Sequence, residues 1–150
     1  MRQAVAEARR GMGKNHGGPF GAVLVLRGRV IARAHNEVLA RRDPTAHAEM
    51  LAIRRGARAL GRFDLSDCIL YSTCEPCPMC LGAILWARIP TLYFGCLRRD
   101  AAAAGFDDAA FYEFLAEAGQ AGPLRRHGLD RDACLELLRE WTLKHDRTPY

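Results

Sequence analysis

The sequence predicts an α/β fold of three layers, with helices on both faces of a mixed β-sheet and a helical segment at the C-terminus. Two observations predict it. Early in the chain two apolar stretches, FGAVLVL and RVIARAH, are separated only by Arg27-Gly28, the pattern of an antiparallel hairpin. The chain then alternates helical and strand-like segments, the rhythm of parallel β-α-β units whose helices cover a sheet. With 150 residues, about half of them apolar, residues 1–150 have the length and composition for one domain with its own core.

Arg2 to Arg10, rich in Ala, Gln, Glu and Arg, reads as an opening helix, and GKNHGGP as a glycine-rich break. The hairpin follows. Beyond the loop NEVLARRDPT, the segment AEMLAIRRGARAL carries Met50, Leu51, Ile53, Ala57 and Leu60 at helical spacing, and Gly61 stands where a helix would end. DCILYST is then a short apolar strand, PMCLGAILWAR a second, buried helix, and TLYFG another strand. CLRRDAAAAGFDD reads as a loop or a poor helix start. Ala109 to Ala118 and Arg131 to Lys144 read as helices, while Pro149 keeps the final HDRTPY from being helical throughout.

Composition excludes several classes of protein. The best candidate for a membrane span, Met79 to Ala87, falls far short of the roughly 20 apolar residues required. The N-terminal MRQAVAEARRGMG lacks the apolar core of a secretory signal, so a cytoplasmic protein is expected. The net charge of +5 would suit a nucleic-acid partner, but the arginine pairs are dispersed and form no long block. Six cysteines, Cys68, Cys74, Cys77, Cys80, Cys96 and Cys134, could form a disulfide framework in a small secreted domain. In a chain with an adequate core and no secretion signal, reduced thiols are expected, some of them bound to metal.

Three of those cysteines crowd into YSTCEPCPMC. Pro76-Cys77-Pro78-Met79-Cys80 places a C-x-x-C at a helix start, where proline suits the first helical position and the unpaired amides favour thiolate. Taken alone, this pattern fits a redox pair, a structural zinc site or a catalytic one. His47 and Glu49 in Thr45-Ala46-His47-Ala48-Glu49 change that balance. Together with the P-C-x-x-C roughly thirty residues later they complete the zinc deaminase signature. His47, Cys77 and Cys80 suit zinc as three ligands and leave a fourth tetrahedral position for water.

Residues two apart on a helix diverge by roughly 200°, so the helix must begin near His47 if His47 and Glu49 are to face one site. Glu49 is then free to move protons between water and substrate nitrogens. Cys74 could close the site as a fourth ligand, but that would leave Glu49 without a role, so it is expected to pack at the strand end. Cys68, Cys96 and Cys134 are expected to be small core residues.

With these motifs in place, the chain resembles the cytidine deaminase-like superfamily over roughly Gly17 to Phe114. The segments GGPFGAV, DPTAHAE, YSTCEPCPMCLGAILWAR and AGFDDAAFYEFL are most similar to bacterial guanine deaminases. The resemblance implies the cytidine deaminase-like fold, one Zn2+ per subunit, and hydrolysis of guanine to xanthine and ammonia. It also implies a homodimer whose C-terminal segment, here about 119–150, is exchanged between subunits and closes the partner's site, with Tyr150 taking part. By motif position Asn36 and Asp108 would hydrogen-bond the base, Phe20 and Trp86 would stack on it or line its pocket, and the main-chain amide of Ala48 would meet a purine oxygen or nitrogen. Asp108 could equally cap the helix that follows, unless Asp107 caps it and Asp108 faces the pocket. The family's acidic residue in the C-terminal segment falls nearest Leu137, with Glu136 and Glu140 on either side. No clear last strand shows between Gly119 and Asp130.

Three other functions fit parts of the pattern. A tRNA adenosine deaminase shares the zinc motif and a similar DPTAHAE segment, but GFDD and the terminal tyrosine speak against it. The base could instead be another aminopurine, a nucleoside, cytosine or an amino-triazine. Lastly, the zinc could stabilise a binding module without catalysis.

Overall fold

A computed structural model of the chain describes residues 1–116, 124, 127–129 and 131–146. It divides into two compact units, Met1–Tyr112 and Glu113–Tyr150. In the first, α1 (Arg2–Gly13) precedes the hairpin of β1 (Gly21–Leu26) and β2 (Arg29–His35). The short α2 (Val38–Arg41) and the longer α3 (Ala48–Leu60) lead to β3 (Cys68–Cys74), α4 (Pro78–Trp86), β4 (Thr91–Cys96) and α5 (Arg98–Ala103). The helix α6 (Ala109–Ala116) crosses the boundary between the units, and α7 (Arg131–Leu143) lies in the second.

The four strands form one mixed sheet in the order β2-β1-β3-β4, with β1 antiparallel to β2 and β3, and β3 parallel to β4. Arg27 and Gly28 both adopt positive φ, 48° and 77°, as a two-residue hairpin turn requires. Strand alternation assigns the layers. Gly21 and His35, a registered pair, meet α1, whose Ala4 carbonyl and Gly11 lie directly against them. Leu24 and Ala32 point to the opposite face and meet Gly56 of α3. On that face Leu24, Leu51, Ala52, Leu70, Ile84 and Ile89 form the core. Helices thus cover both faces, as the sequence predicts.

Four local readings are corrected. The opening helix runs on through Gly11 and Gly13 rather than stopping at Arg10. Gly11 is retained because a Cβ there would lie 2.4 Å from the His35 ring, so close packing outweighs glycine's poor helix propensity. The loop after β2 contains α2, ended by Arg42 in a left-handed conformation at φ 53°. CLRRDAAAAGFDD contains α5, started by Asp100, whose carboxylate accepts from the Leu97 amide at 2.8 Å. PMCLGAILW is buried on one side only: Cys80 and Ile84 are inside, while Leu85 and Trp86 are 75% and 70% exposed. A helix apolar all round has no polar face to show which side meets solvent.

In the second unit, α7 carries a Glu136–Arg139 ion pair of 3.0 Å one turn apart. Residues 117–118 of the expected Ala109–Ala118 helix and Tyr150 lie outside the described residues, as does most of the stretch between Gly119 and Asp130. Cys96 and Cys134 are exposed, not core residues, whereas Cys68 is fully buried.

Candidate active site

Two helix starts face each other across the carboxyl end of β3. His47 is the N-cap of α3, with extended backbone at φ −68° and ψ 156°. Upstream, Asp43 Oδ1 accepts from the Thr45 N–H at 2.8 Å and from its hydroxyl at 2.7 Å, a side-chain turn that delivers the chain to that cap. Those bonds hold the Asp43 carboxyl below its usual range. Cys77 caps α4 in the same way, at φ −65° and ψ 168°, with Pro78 opening the helix.

His47, Cys77 and Cys80 come together as the sequence reading expects. Their ligand atoms all lie within 4.8 Å of one another, the one such group among the described residues. His47 Nδ1 is 3.6 Å from the sulfur of Cys77 and 3.6 Å from that of Cys80. Tetrahedral zinc, with Zn–N near 2.05 Å and Zn–S near 2.3 Å, sets nitrogen and sulfur about 3.6 Å apart. The donor set and its spacing fit zinc.

Without metal the three groups share protons unequally. The Cys77 thiol is pulled down to about 4, chiefly by a hydrogen bond from Cys80 and then, against burial, by His47. Cys80, the donor in that bond and buried, is pushed strongly up. His47 is raised, mainly by its bond to Cys77.

Glu49 is 5% exposed and sits beside this group. The Ser72 hydroxyl donates to its Oε1 at 2.6 Å, and the Cys80 thiol lies 3.6 Å from its Oε2. Burial raises the Glu49 carboxyl above its usual value, with the Ser72 bond working the other way. Ser72 itself is fully buried at an inward position of β3. Sequence reasoning missed Ser72. The only signal was a hydroxyl at an inward position of an apolar strand.

A cavity of about 650 Å³ opens over these groups, within the usual range for small-molecule sites. His47, Glu49, Cys77, Asn36, Phe20 and Asp108 all line it. Asn36 is 5% exposed, and its Oδ1 accepts from the Val38 N–H at 3.2 Å, which leaves its NH2 group as donor. Phe20 meets Phe106 edge-to-face at 4.9 Å, making an aromatic wall of which sequence reasoning named only half. Asp107, not Asp108, accepts from the Ala109 N–H at the start of α6, at 2.9 Å. Asp108 lines the cavity with its carboxyl raised, first by burial and then by the charge of Cys77. The Tyr112 hydroxyl donates to the Pro76 carbonyl at 2.9 Å and the Arg98 guanidinium lies 4.6 Å over its ring, which ties this segment to the cysteine loop.

Ala48 is fully buried as the first residue of α3, and its side chain is not part of the lining. Trp86 is not brought to the cavity. It lines a separate shallow depression with Gly82, Leu85 and Arg88, because the last turn of α4 faces away from His47. Cys74 touches the cavity but stays out of the ligand group. Its thiol points to the Leu97 carbonyl at 3.7 Å and burial pushes it up to about 11, so it remains protonated.

Comparison with known proteins gives the same picture. The family model for the cytidine and deoxycytidylate deaminase zinc-binding region matches residues 1–96. Guanine deaminase of Bacillus subtilis is 51% identical over 113 residues, 75% of this chain and 72% of that enzyme. The X-ray structure of guanine deaminase from Bacillus subtilis superposes with a TM-score of 0.95 at 41% identity, covering 99% of this chain and 95% of that one. The tRNA-specific adenosine deaminase of Bacillus subtilis is 45% identical over 95 residues, 63% of this chain and 58% of that enzyme. A mixed sheet between helices, a His-Cys-Cys group at two helix starts and this likeness in sequence and fold converge: the chain is a homologue of guanine deaminase and belongs to the cytidine and deoxycytidylate deaminase family.

Proposed function

We propose that the chain is a zinc-dependent hydrolytic deaminase of a free nucleobase, converting guanine and water to xanthine and ammonia. The observation that carries the reaction type is the buried Glu49 carboxylate, hydrogen-bonded by Ser72 beside His47, Cys77 and Cys80. Zinc held by those three residues would make water a nucleophile near neutral pH. Hydrolysis forms a C–O bond and breaks a C–N bond at one ring carbon. Two protons must therefore leave water, one for the adjacent ring nitrogen and one for the departing amino group. Glu49 accepts each proton on the water side and returns it on the nitrogen side. A carboxyl raised by burial is suited to both halves of that transfer.

Recognition of the base falls to the rest of the lining. Phe20 and Phe106 offer aromatic faces, Asn36 a donor, and Asp108 an acceptor for ring or amino N–H groups. The likeness to guanine deaminase runs through the AGFDD segment and nearly the whole fold, whereas the likeness to the tRNA enzyme spans less of the chain. That contrast supports guanine. Exposed Leu85, Trp86 and Tyr93, with Leu137, Leu138 and Leu143 on α7, support a homodimer with an exchanged C-terminal segment, in which Tyr150 and either Glu136 or Glu140 would meet the partner's substrate. No helix among the described residues is long and apolar enough to cross a membrane, and a cytoplasmic enzyme is the reading adopted. Ammonia release across guanine, guanosine, adenine, cytosine, cytidine and a tRNA anticodon stem-loop tests the assignment. Guanine turns over fastest if it is right, and a better rate with any other substrate defeats it.

A further inference from the structure

A second, partly buried cluster of titratable side chains stands behind the wall of the cavity, and the proposed chemistry does not use it. His35, the last residue of β2, is 4% exposed. Its Nδ1 lies 3.3 Å from Glu7 Oε2 on α1, and its Nε2 lies 3.0 Å from His16 Nδ1 in the loop before β1. The direction of the first bond follows from the donor inventory. A carboxylate only accepts, so His35 donates through Nδ1–H to Glu7. The contact between His35 Nε2 and His16 Nδ1 carries one proton between the two ring nitrogens, one donating and the other accepting. Glu37 Oε1, 3.9 Å from His35 Nε2, is beyond hydrogen-bond reach and is engaged by Arg55, while Arg41 holds Oε2.

This chain of bonds spans three elements and ends at the cavity. The His16 N–H donates to the Gly11 carbonyl at 3.0 Å, and the His16 carbonyl accepts from Leu39 and Ala40 at 3.0 and 3.1 Å. The next residue, Gly17, lies so close to Asn36 that a Cβ would fall 2.0 Å from the Asn36 Oδ1. Asn36 directly follows His35, and its N–H donates to the Phe20 carbonyl at 2.9 Å. Gly17, Asn36 and Phe20 all line the cavity.

We propose that Glu7, His35 and His16 are positioning residues: their hydrogen-bonded chain locks the Gly17 wall against the Asn36 carboxamide, so that its NH2 group is held ready to donate to an acceptor atom on the edge of the base. This inference rests on the proposed base-binding role of Asn36. Because Glu49, Ser72 and the three ligands stand on other elements, weakening the chain raises KM and spares kcat.

The test is steady-state kinetics of the zinc-loaded enzyme with guanine. His16→Leu and Glu7→Leu raise KM about fivefold, the size of one hydrogen bond, with kcat within about twofold. His16→Asn, whose amide nitrogen replaces Nδ1, and Glu7→Gln, which keeps an acceptor oxygen, stay within about twofold of wild type in both constants. An unmoved KM in His16→Leu, equal damage in His16→Asn, or a loss confined to kcat overturns the inference. Nitrogen-15 NMR of the wild-type protein tests it without variants or turnover: His35 carries a proton on Nδ1, bonded to Glu7, and a bare His35 Nδ1 overturns it. Asn36→Ala measured in parallel separates the two readings. If wild type does not deaminate guanine, the proposed function fails while the His35 proton still judges the chain. If Asn36→Ala weakens guanine binding and His16→Leu does not, the positioning role alone fails.

Discussion

Replacing Ser72 by alanine removes one hydrogen bond, the 2.6 Å contact from its hydroxyl to Glu49 Oε1. Both side chains are buried, and the lost oxygen is not replaced by water without reopening the core between β3 and α3. A hydrogen bond to a charged group contributes about 1.5–3 kcal/mol, so the Glu49 carboxylate loses that much of its support. If half of this is felt in the proton-transfer step, kcat for guanine falls by about three- to twelvefold, at ~1.4 kcal/mol per decade. The direction of the pH effect also follows. Burial raises the Glu49 carboxyl and the Ser72 bond lowers it, so its removal raises the carboxyl further. The ionised form is the proton acceptor, and activity is lost as pH falls through this group, so the acid limb of kcat moves to higher pH in Ser72→Ala. Ammonia release measured from pH 5 to 9 with zinc content checked in parallel is the assay. An unchanged kcat with an unmoved acid limb would refute the coupling between Ser72 and Glu49.

Three further outcomes are expected. Cys74→Ser retains zinc at full stoichiometry, because the Cys74 thiol stays protonated and faces the Leu97 carbonyl; metal analysis after dialysis checks this, and loss of the metal would make Cys74 a ligand. Zinc binding to metal-free protein at neutral pH releases about one to two protons, since Cys80 holds its proton and His47 is raised before the metal enters. Calorimetry in buffers of different ionisation enthalpy measures that number, and affinity falls as pH falls. Asp43 is held below the usual carboxyl range by Thr45, so the stability it contributes is complete above its ordinary value of 3.8 and is lost as pH falls through the lowered one. Asp43→Ala therefore flattens the acid part of a urea-midpoint curve, and an unchanged curve would show that the turn before His47 contributes nothing.

The ligand group was legible in the sequence because each part announces itself locally. Pro78 marks a helix start, Asp43-Pro44 marks another, and the donor types at His47, Cys77 and Cys80 match zinc without knowledge of the fold. Parts that depend on non-local packing were not legible. Ser72 meets Glu49 only because β3 passes beneath the first turn of α3. Phe106 pairs with Phe20 across more than eighty residues, and neither local sequence signals the other. Trp86 lies off the cavity of its own chain for a physical reason: PMCLGAILW is apolar on every side, so its pattern cannot say which way residue 86 faces. The short α2 and α5 are held by single caps rather than by an apolar stripe, so helical periodicity is blind to them. The Glu7–His35–His16 chain shares this character, since its three residues are spread from α1 to the end of β2.

Glu49→Gln tests the reaction most directly. The substitution keeps the volume of the buried side chain and an oxygen for the Ser72 hydroxyl, and removes only the capacity to take up and return a proton. Zinc content and ammonia release from guanine are measured on the same preparation. Zinc retained at one per chain with kcat lower by about three orders of magnitude is the expected result. Zinc retained with wild-type turnover would contradict proton transfer by Glu49.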